Sequence, residues 1–193
     1  MAAPSPGSAA LQWWRYLQPY DQMGMPNPTS DRAALARLRR AVTPIEIMGE
    51  RRVLDLYRRL GYTRAEAERW LPWVAVVAMV LSHVRKHDSD PRRNPPRAIG
   101  PEAGDEKGET ASMKPARFRR LLLAREPADV AREMRRLVDL AGHNLDVAKI
   151  ASTLLDWDDP VRGDRIRTMW AYDYYNAGDA APSSQSDVAL SAV

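Results

Sequence analysis

Apolar residues recur at helical spacing through the second half of this chain, and that period constrains the fold more than any other feature. Between residues 113 and 141, one face of the pattern is apolar and the opposite face is basic. The apolar positions are Phe118, Leu121, Leu122, Val130, Met134, Leu137, Val138, Leu140 and Ala141. Residues three and four apart lie on one side of an α-helix, so the stretch predicts a pair of amphipathic helices with one face built for a core.

The other face of this helical pair carries a surplus of positive charge. Within residues 114–136, eight basic side chains stand against three acidic ones, a net charge of +5. Arg117 and Arg120 are three residues apart, and Arg135 and Arg136 are adjacent. A guanidinium binds phosphate oxygens through two parallel hydrogen bonds. The pattern is therefore typical of a protein that binds polyanions.

The rest of the chain also predicts helices. No stretch alternates apolar and polar residues convincingly, so we predict an all-α fold with little or no β-strand. We expect two helical subdomains, an N-terminal one over residues 10–87 and a C-terminal one over residues 113–176. Between them, prolines, glycines and mixed charges at 88–112 predict a linker or mobile loop. Residues 1–9 and 177–193 are predicted to be disordered.

Local signals indicate where several helices begin and end. The predicted amino-terminal caps are Ser30 or Asp31, Thr63 with Glu66, and Asn144. The first helix is expected from Leu11, and the helix opened by Thr63 is expected to run to near His87. Pro127 suits the first turn of a helix that Gly142 ends.

The composition restricts the cellular setting. Cysteine is absent, which excludes disulfides and thiolate metal sites and fits a cytoplasmic location. The N-terminal segment lacks a charged start followed by an apolar run, so we expect no secretory signal. The longest apolar stretch, Trp70 to Leu81, spans about 12 residues and is too short to cross a bilayer. We therefore expect a cytoplasmic protein without a membrane partner.

Two histidines have the spacing of metal ligands. His83 and His87 are four residues apart on one predicted helix. The metalloprotease pattern needs a glutamate directly after the first histidine, and Val84 stands there. Arg85 would also repel a cation. We therefore predict no metal site.

A cluster of carboxylates precedes the last predicted helix. Asp156, Asp158 and Asp159 lie just before Pro160, where aspartate is a favoured cap. Neither a glycine-rich phosphate loop nor a Ser or Thr with an evident His or Lys partner is present in the sequence. The sequence therefore predicts no cofactor and no enzymatic activity.

Several segments, taken in order, resemble one known family. They are LQWWRYL and DRAALARLRRA near the N-terminus, followed by FRRLLLAREPADVAREMRRLV, LDVAKIASTLLDW and GDRIRTMWAYDYY. This succession is similar to the small subunit of the type I-E CRISPR Cascade surveillance complex, the CasB family. The resemblance covers residues 10–87 and 113–176, and its C-terminal half is the more specific part.

The resemblance implies a two-domain, all-α protein that is not an enzyme. Family members sit as two tandem copies against the guide-RNA backbone of repeated subunits. The implied partners are therefore crRNA, the target and displaced DNA strands, the backbone and large subunits, and a second copy of the chain. The implied role is to hold the displaced strand and stabilise the R-loop.

The resemblance also assigns candidate nucleic-acid-binding residues. Arg39 and Arg40 match a basic pair near the start of the family, and Arg69 falls near another basic position. In the C-terminal half, matched or adjacent basic positions fall on Arg117, Arg125, Arg135 and Arg136. Arg120 joins them because it lies three residues from Arg117.

Two other interpretations remain open. The helices expected over 127–141 and 145–156 are close enough for a helix-turn-helix DNA-binding regulator. The intervening GHN has the character of a helix cap, however, and the second helix carries only one basic side chain. The third interpretation is a helical scaffold whose arginines are merely solvated.

Overall fold

Nine α-helices make up most of the described chain, and the all-α prediction is confirmed. The computed structural model describes residues 5–21 and 23–179. The helices are α1 (Pro6–Leu17), α2 (Arg32–Arg40), α3 (Arg51–Arg59), α4 (Ala67–His83), α5 (Pro95–Ile99), α6 (Pro115–Leu123), α7 (Pro127–Leu140), α8 (Val147–Leu155) and α9 (Arg162–Tyr175). Two strands, β1 (Lys86–His87) and β2 (Asn144–Leu145), pair in parallel. Short 3-10 turns span Pro44–Ile47, Arg64–Glu66 and Pro91–Arg93.

Side-chain hydrogen bonds begin two helices where the sequence predicted them. Asp31 caps α2, its carboxylate accepting from the backbone amide three residues on at 2.9 Å. Thr63 and Glu66 form the predicted capping box, in which Glu66 accepts from the Thr63 backbone amide at 2.8 Å. The box opens the 3-10 turn that leads into α4. After α7, Gly142 has a φ of +70°, which lets the chain turn away from the helix end.

Helix α4 lies at the centre of the structure. Every residue from Trp73 to Ser82 is buried. Helices α7 and α8 pack against it from the C-terminal half of the chain, and α2 and α3 pack from the N-terminal half. A helix that is apolar on all sides must be covered on all sides. One hydrophobic core therefore joins helices of both predicted domains, and their folding as separate units stays a prediction.

Helix α1 begins five residues earlier than the sequence suggested. The Ser5 hydroxyl caps it, and it starts at Pro6 instead of Leu11. Gly7 lies so close to α8 that a Cβ there would meet the Ala148 carbonyl oxygen at 2.6 Å. The predicted disorder over residues 1–9 is therefore wrong for residues 5–9, while residues 1–4 lie outside the described part of the chain.

The adjacent residues Trp13 and Trp14 of α1 are both buried. The Trp13 Nε1 donates to the Arg52 carbonyl at 2.8 Å, and the Trp14 Nε1 donates to the Val84 carbonyl at 3.1 Å. Helix α1 packs on α8 and also contacts α3 and α4. Two neighbouring sides of the helix are covered, so both indoles contribute to the core.

The segment 88–112 folds against α9 and is not a free linker, which corrects that prediction. Its helix α5 buries Pro95, Pro96, Arg97 and Ile99. The Arg97 Nε lies 3.1 Å from a carboxylate oxygen of Asp173 on α9. Local composition predicted a loop because it carries no information about this pair, whose members are 76 residues apart.

The end of α4 differs from the prediction, with consequences for the histidines. The helix ends at His83, where Val84 takes up extended geometry. His87 belongs to β1, so the two histidines do not share a helix. Asn144 belongs to β2, where it pairs with Lys86 of β1. The cap of α8 is instead Asp146, which accepts from the Lys149 amide at 3.0 Å.

None of the helices within residues 5–21 and 23–179 is long and apolar enough to cross a membrane. Residues 177 and 178 continue α9 into a turn. Most of the tail predicted to be disordered, residues 180–193, lies outside the described residues.

Candidate nucleic-acid interface

Arg39 and Arg40 stand at the carboxyl end of α2, and the structure gives them different surroundings. Leu35 and Leu38 of this short helix are buried, which leaves Arg40 exposed to solvent. Arg39 is half-buried, and its Nε donates to the Ser82 carbonyl at the end of α4 at 2.7 Å. Arg40 is therefore available to bind an anion, while one donor of the Arg39 guanidinium is already hydrogen-bonded within the protein.

Arg135 and Arg136 do not act as a pair, although they are adjacent on α7. Arg135 turns inward, and its Nη1 and Nη2 donate to the carbonyls of Ala41 at 2.7 Å and Arg39 at 3.0 Å. Arg136 is exposed to solvent. Consecutive helical residues point about 100° apart, so only one of the two can lie on the α2 side. Arg135 caps the carboxyl end of α2, where helix carbonyls lack intrahelical partners.

Positive charge accumulates where α2, α4 and α7 meet. Burial, followed by the nearby charge of Arg85, lowers the pKa of the Arg39 guanidinium. Burial and then Arg135 lower the pKa of His83 to about 4, although Asp139 acts in the opposite direction. His83 is therefore neutral near pH 7. The arginines exceed the acids here, so the potential favours an anion.

The candidates on α6 and the following turn form a second basic area. Arg120 is exposed and Arg117 is half-buried. Arg125 donates from Nη1 to the Leu122 carbonyl at 2.9 Å, and its Nη2 lies 3.9 Å from Asp164. Arg125 therefore helps to cap α6, and Arg120 is the exposed candidate of this area whose side chain has no hydrogen-bond or ion-pair partner among the described residues.

Arg69 lies near the amino end of α4 on an aromatic cluster. Its guanidinium carbon is 4.9 Å from the centroid of the Trp70 ring. Trp70 in turn stacks on Tyr62 with centroids 5.0 Å apart. Arg69 is exposed, so its guanidinium combines a cation–π contact with access to solvent.

Sequence reasoning missed a group of residues around Tyr20. Two adjacent clefts of about 860 and 520 Å³ share this exposed tyrosine in their walls. The basic residues that line one or the other cleft are Arg15, Arg32, Arg39, Arg40, Arg85 and Lys86. The Arg85–Lys86 doublet beside a predicted helix end was the available signal. Its meeting with Tyr20, more than 60 positions away, required the fold.

The carboxylates around Trp157 have structural partners. Asp159 accepts from the backbone amide of Arg162 at 2.8 Å at the start of α9. Asp156 lies 2.9 Å from the Arg162 guanidinium, and burial raises the pKa of its carboxyl. Among the described residues, no three His, Cys, Asp or Glu side chains are arranged to hold a metal ion.

The helix-turn-helix interpretation finds no support in the position of α8. This helix packs against both α1 and α4. Six of its nine residues are buried, among them Ile150 and Leu154. A recognition helix needs an open face for the major groove, and the second helix of this pair does not have one.

Comparison with known proteins gives one family. The profile of a family described as CRISPR-associated protein Cse2 matches residues 34–175. No curated protein sequence matches this chain. CasB from Thermobifida fusca superposes with a TM-score of 0.63 at 20% identity, over 90% of this chain and 99% of that one. A chain of E. coli Cascade bound to a PAM-containing dsDNA target superposes with a TM-score of 0.57 at 21% identity, over 86% and 95%. Both structural matches show a shared fold.

Proposed function

The chain belongs to the CRISPR-associated protein Cse2 family, and on that premise we propose that it is a non-catalytic subunit of a cytoplasmic type I-E Cascade complex. In this role it contacts crRNA and target DNA, holds the displaced strand and stabilises the R-loop. Its protein partners are the backbone and large subunits and a second copy of itself. The observation that carries the proposal is a set of arginines that the fold leaves open.

These open arginines differ from the paired ones. Arg40, Arg120 and Arg136 are exposed, and none forms an ion pair with a residue of the described chain. Arg37 and Arg132, in contrast, lie 2.7 and 2.9 Å from carboxylate oxygens of Glu50 and Asp129. A guanidinium without an internal anion is available to a phosphate. Its excess charge also favours approach of a polyanion.

Backbone binding of this kind is sufficient to stabilise an R-loop. The RNA–DNA hybrid that forms is about as stable as the DNA duplex it replaces, so modest protein contacts tip the exchange. A displaced strand held on a basic surface is also slower to re-anneal. Each phosphate neutralised on a single strand adds about 0.7 to the salt slope of binding. No bond is made or broken in this role.

Sequence specificity is then supplied by the guide. Contacts from arginines to phosphates fix position and orientation but read no base. Arg40 and Arg136 are on different helices and are both exposed to solvent, so each is placed to bind a phosphate at the surface of the protein. The subunit therefore serves any target that the crRNA selects.

A double charge reversal, compared with a single reversal elsewhere on the surface, tests the proposal. The chain carrying both Arg40→Glu and Arg136→Glu is assembled with the other subunits of the same type I-E system, and the lifetime of the R-loop is measured. We expect a shorter lifetime at matched salt. The control is Arg92→Glu, because Arg92 has an exposed fraction of 81% and is not one of the candidate nucleic-acid-binding residues. An unchanged lifetime with the double variant would contradict the assignment of these two residues.

A further inference from the structure

The larger of the two clefts beside Tyr20 has features that a backbone-binding surface does not need. It lies between the carboxyl end of α1, the loop that follows it and the segment Arg85–His87, with a volume of about 860 Å³. This size is within the range of small-molecule sites. Much of its wall comes from residues 14–21 and 23–29, which precede the segment 34–175 that the family profile matches. The cleft is therefore largely a feature of the chain's N-terminal part.

The loop wall of the cleft is held by its own hydrogen bonds. One Asp21 carboxylate oxygen accepts from the amides of Met23 at 2.9 Å and Met25 at 2.8 Å. The Asn27 side-chain amide donates to the carbonyls of Arg15 at 3.1 Å and Gln18 at 3.0 Å. The wall therefore has a defined shape before any ligand enters, which lowers the entropy lost on binding.

A buried donor in the wall lacks a partner. Gln18 has an exposed fraction of 6%, and its side-chain Nε2 forms no hydrogen bond in the described structure. Gln18 also lines the cleft. Buried polar groups are nearly always hydrogen-bonded, and an unsatisfied one is unfavourable. A small rotation of the Gln18 side chain would let an acceptor brought by a ligand, such as a base carbonyl or ring nitrogen, satisfy this donor.

The aromatic rings of the cleft are not equivalent. The Arg59 guanidinium carbon lies 5.1 Å from the centroid of the Tyr16 ring and covers one face of it. Tyr20 has an exposed fraction of 56% and has no ring or guanidinium stacked on it within the described residues. Nucleobases stack on open aromatic faces whatever their sequence. Tyr20 is therefore the surface on which a base can lie.

The charges of the cleft select an anionic ligand. Arg15, Arg85 and Lys86 line it, and none of them forms an ion pair with a described residue. Its one acidic wall residue is Asp21, whose carboxylate already accepts the two loop amides. An apolar peptide would satisfy the rings but leave these cations without partners. A nucleotide satisfies both, because it joins a flat ring to a phosphate.

We propose that this cleft holds one unpaired nucleotide of a single strand, with its base on Tyr20, its edge at Gln18 and its phosphate on Arg85 and Lys86. The inference rests on the proposed function and deepens it. The protein then contacts the strand not only along its phosphate backbone but also at one base, in a site that we call the seat. Because stacking on an aromatic ring is independent of base identity, this seat does not discriminate between target sequences.

Photo-crosslinking on the assembled complex tests the seat. Iodouracil is placed singly at successive positions of the displaced strand and of the target strand, and the adducts on this chain are mapped. We expect an adduct on Tyr20 at one position for each copy of the chain, with none on the similarly exposed Tyr172 of α9. Absence of a Tyr20 adduct from every position would overturn the proposal. Crosslinking of free iodo-dUMP to Tyr20, with none from either strand, would also overturn it.

Gln18→Met separates a binding role of Gln18 from a structural one. Methionine keeps the volume but removes the buried donor, so we expect an unchanged or higher midpoint of thermal unfolding together with a several-fold lower adduct yield. A lower unfolding midpoint with an unchanged yield would show that Gln18 serves the fold. Tyr20→Ala should shorten the R-loop lifetime about tenfold, whereas Tyr172→Ala should leave it unchanged. In a complex whose R-loop lifetime depends on this chain, a lifetime unaffected by Tyr20→Ala would count against the seat.

The two proposals can fail separately. A mapped Tyr20 adduct in a complex whose R-loop lifetime does not depend on this chain would support the seat and contradict the stabilising role. A lifetime that depends on Arg40 and Arg136, without any Tyr20 adduct, would support the role and overturn the seat.

Discussion

Arg135 donates from Nη2 to the backbone carbonyl of Arg39 at 3.0 Å, so one candidate phosphate ligand positions the chain that carries another. A second donor of the same guanidinium reaches the Ala41 carbonyl at 2.7 Å. This contact joins the carboxyl end of α2 to the middle of α7. It makes Arg135 a structural residue at the edge of the proposed surface, whereas Arg136 beside it is open to solvent.

Arg135→Ala should destabilise the fold, because it removes two charge-assisted hydrogen bonds and leaves two carbonyls without partners. We expect a loss of about 2 kcal/mol in the free energy of unfolding, measured by urea denaturation. Arg136→Ala should change that free energy by less than about 0.5 kcal/mol. Equal effects of the two substitutions would contradict the separation of their roles.

His83 should make stability depend on pH. Its pKa is about 4 in the fold and 6.5 in the reference state, mainly because of burial and secondly because of Arg135. The folded state therefore binds a proton on His83 more weakly than the unfolded state does. The free energy of unfolding is not reduced by His83 above pH 6.5, and it decreases as the pH falls from 6.5 towards 4. The loss is about 1.4 kcal/mol for each pH unit in that window and about 3 kcal/mol in total.

Urea denaturation of the native chain and of His83→Gln between about pH 4 and pH 7 measures this dependence. Glutamine does not titrate, so the variant should show a flatter profile across the window. Parallel profiles for the two proteins would mean that His83 is not the titrating group.

The ion pair between Arg97 and Asp173 should matter more than surface pairs. The exposed fractions of its two side chains are 5% and 17%, and Asn94 donates to the other Asp173 oxygen at 2.7 Å. Asp173→Ala leaves the Arg97 charge buried without a counter-charge, with only the Asp179 carbonyl as an acceptor, so we expect a loss of about 3 kcal/mol in the free energy of unfolding.

Two further variants serve as controls for the Asp173→Ala measurement. Asp129→Ala breaks an exposed pair with Arg132 and should lower the free energy of unfolding by at most about 1 kcal/mol. The double variant Arg97→Met with Asp173→Leu removes both buried charges and should recover much of the loss. Similar losses for Asp173→Ala and Asp129→Ala would show that the segment 88–112 contributes little through this contact.

The open arginines should determine the salt sensitivity of the R-loop. Each contact with a single-strand phosphate contributes about 0.7 to the slope of log affinity against log salt. The double variant of Arg40 and Arg136 should therefore reduce the slope by about 1.4 for each copy of the chain in the complex, if both residues bind the displaced strand. R-loop dissociation rates over a range of salt concentrations give the comparison. A slope that the double variant leaves unchanged would mean that these side chains do not touch phosphates.

Local hydrogen-bond chemistry made two of the helix starts predictable. The Asp31 cap and the Thr63–Glu66 box each involve groups three residues apart, and both lie where the sequence predicted them. The cap at Asn144 was wrong because a tertiary contact outweighed its propensity. Asn144 pairs with Lys86 in a parallel strand, and Asp146 takes over the cap.

The candidate site was less predictable, because side-chain direction depends on packing. From the sequence, Arg135 and Arg136 were assigned the same role. Helix α2 lies on only one side of α7, however, so only Arg135 forms hydrogen bonds with its carboxyl end. The seat beside Tyr20 assembles from α1, its loop and β1. Its distinguishing feature, the unpartnered Gln18 amide, exists only once the surrounding chain is buried.

We propose above all that this chain stabilises an R-loop within a type I-E Cascade complex. The most direct measurement compares R-loop lifetime on one target for complexes assembled from the same genome's subunits and CRISPR array, with and without the tagged chain. We expect the chain to co-purify with guide RNA and its presence to lengthen the lifetime. Failure to co-purify, or equal lifetimes with and without the chain, would contradict the proposal.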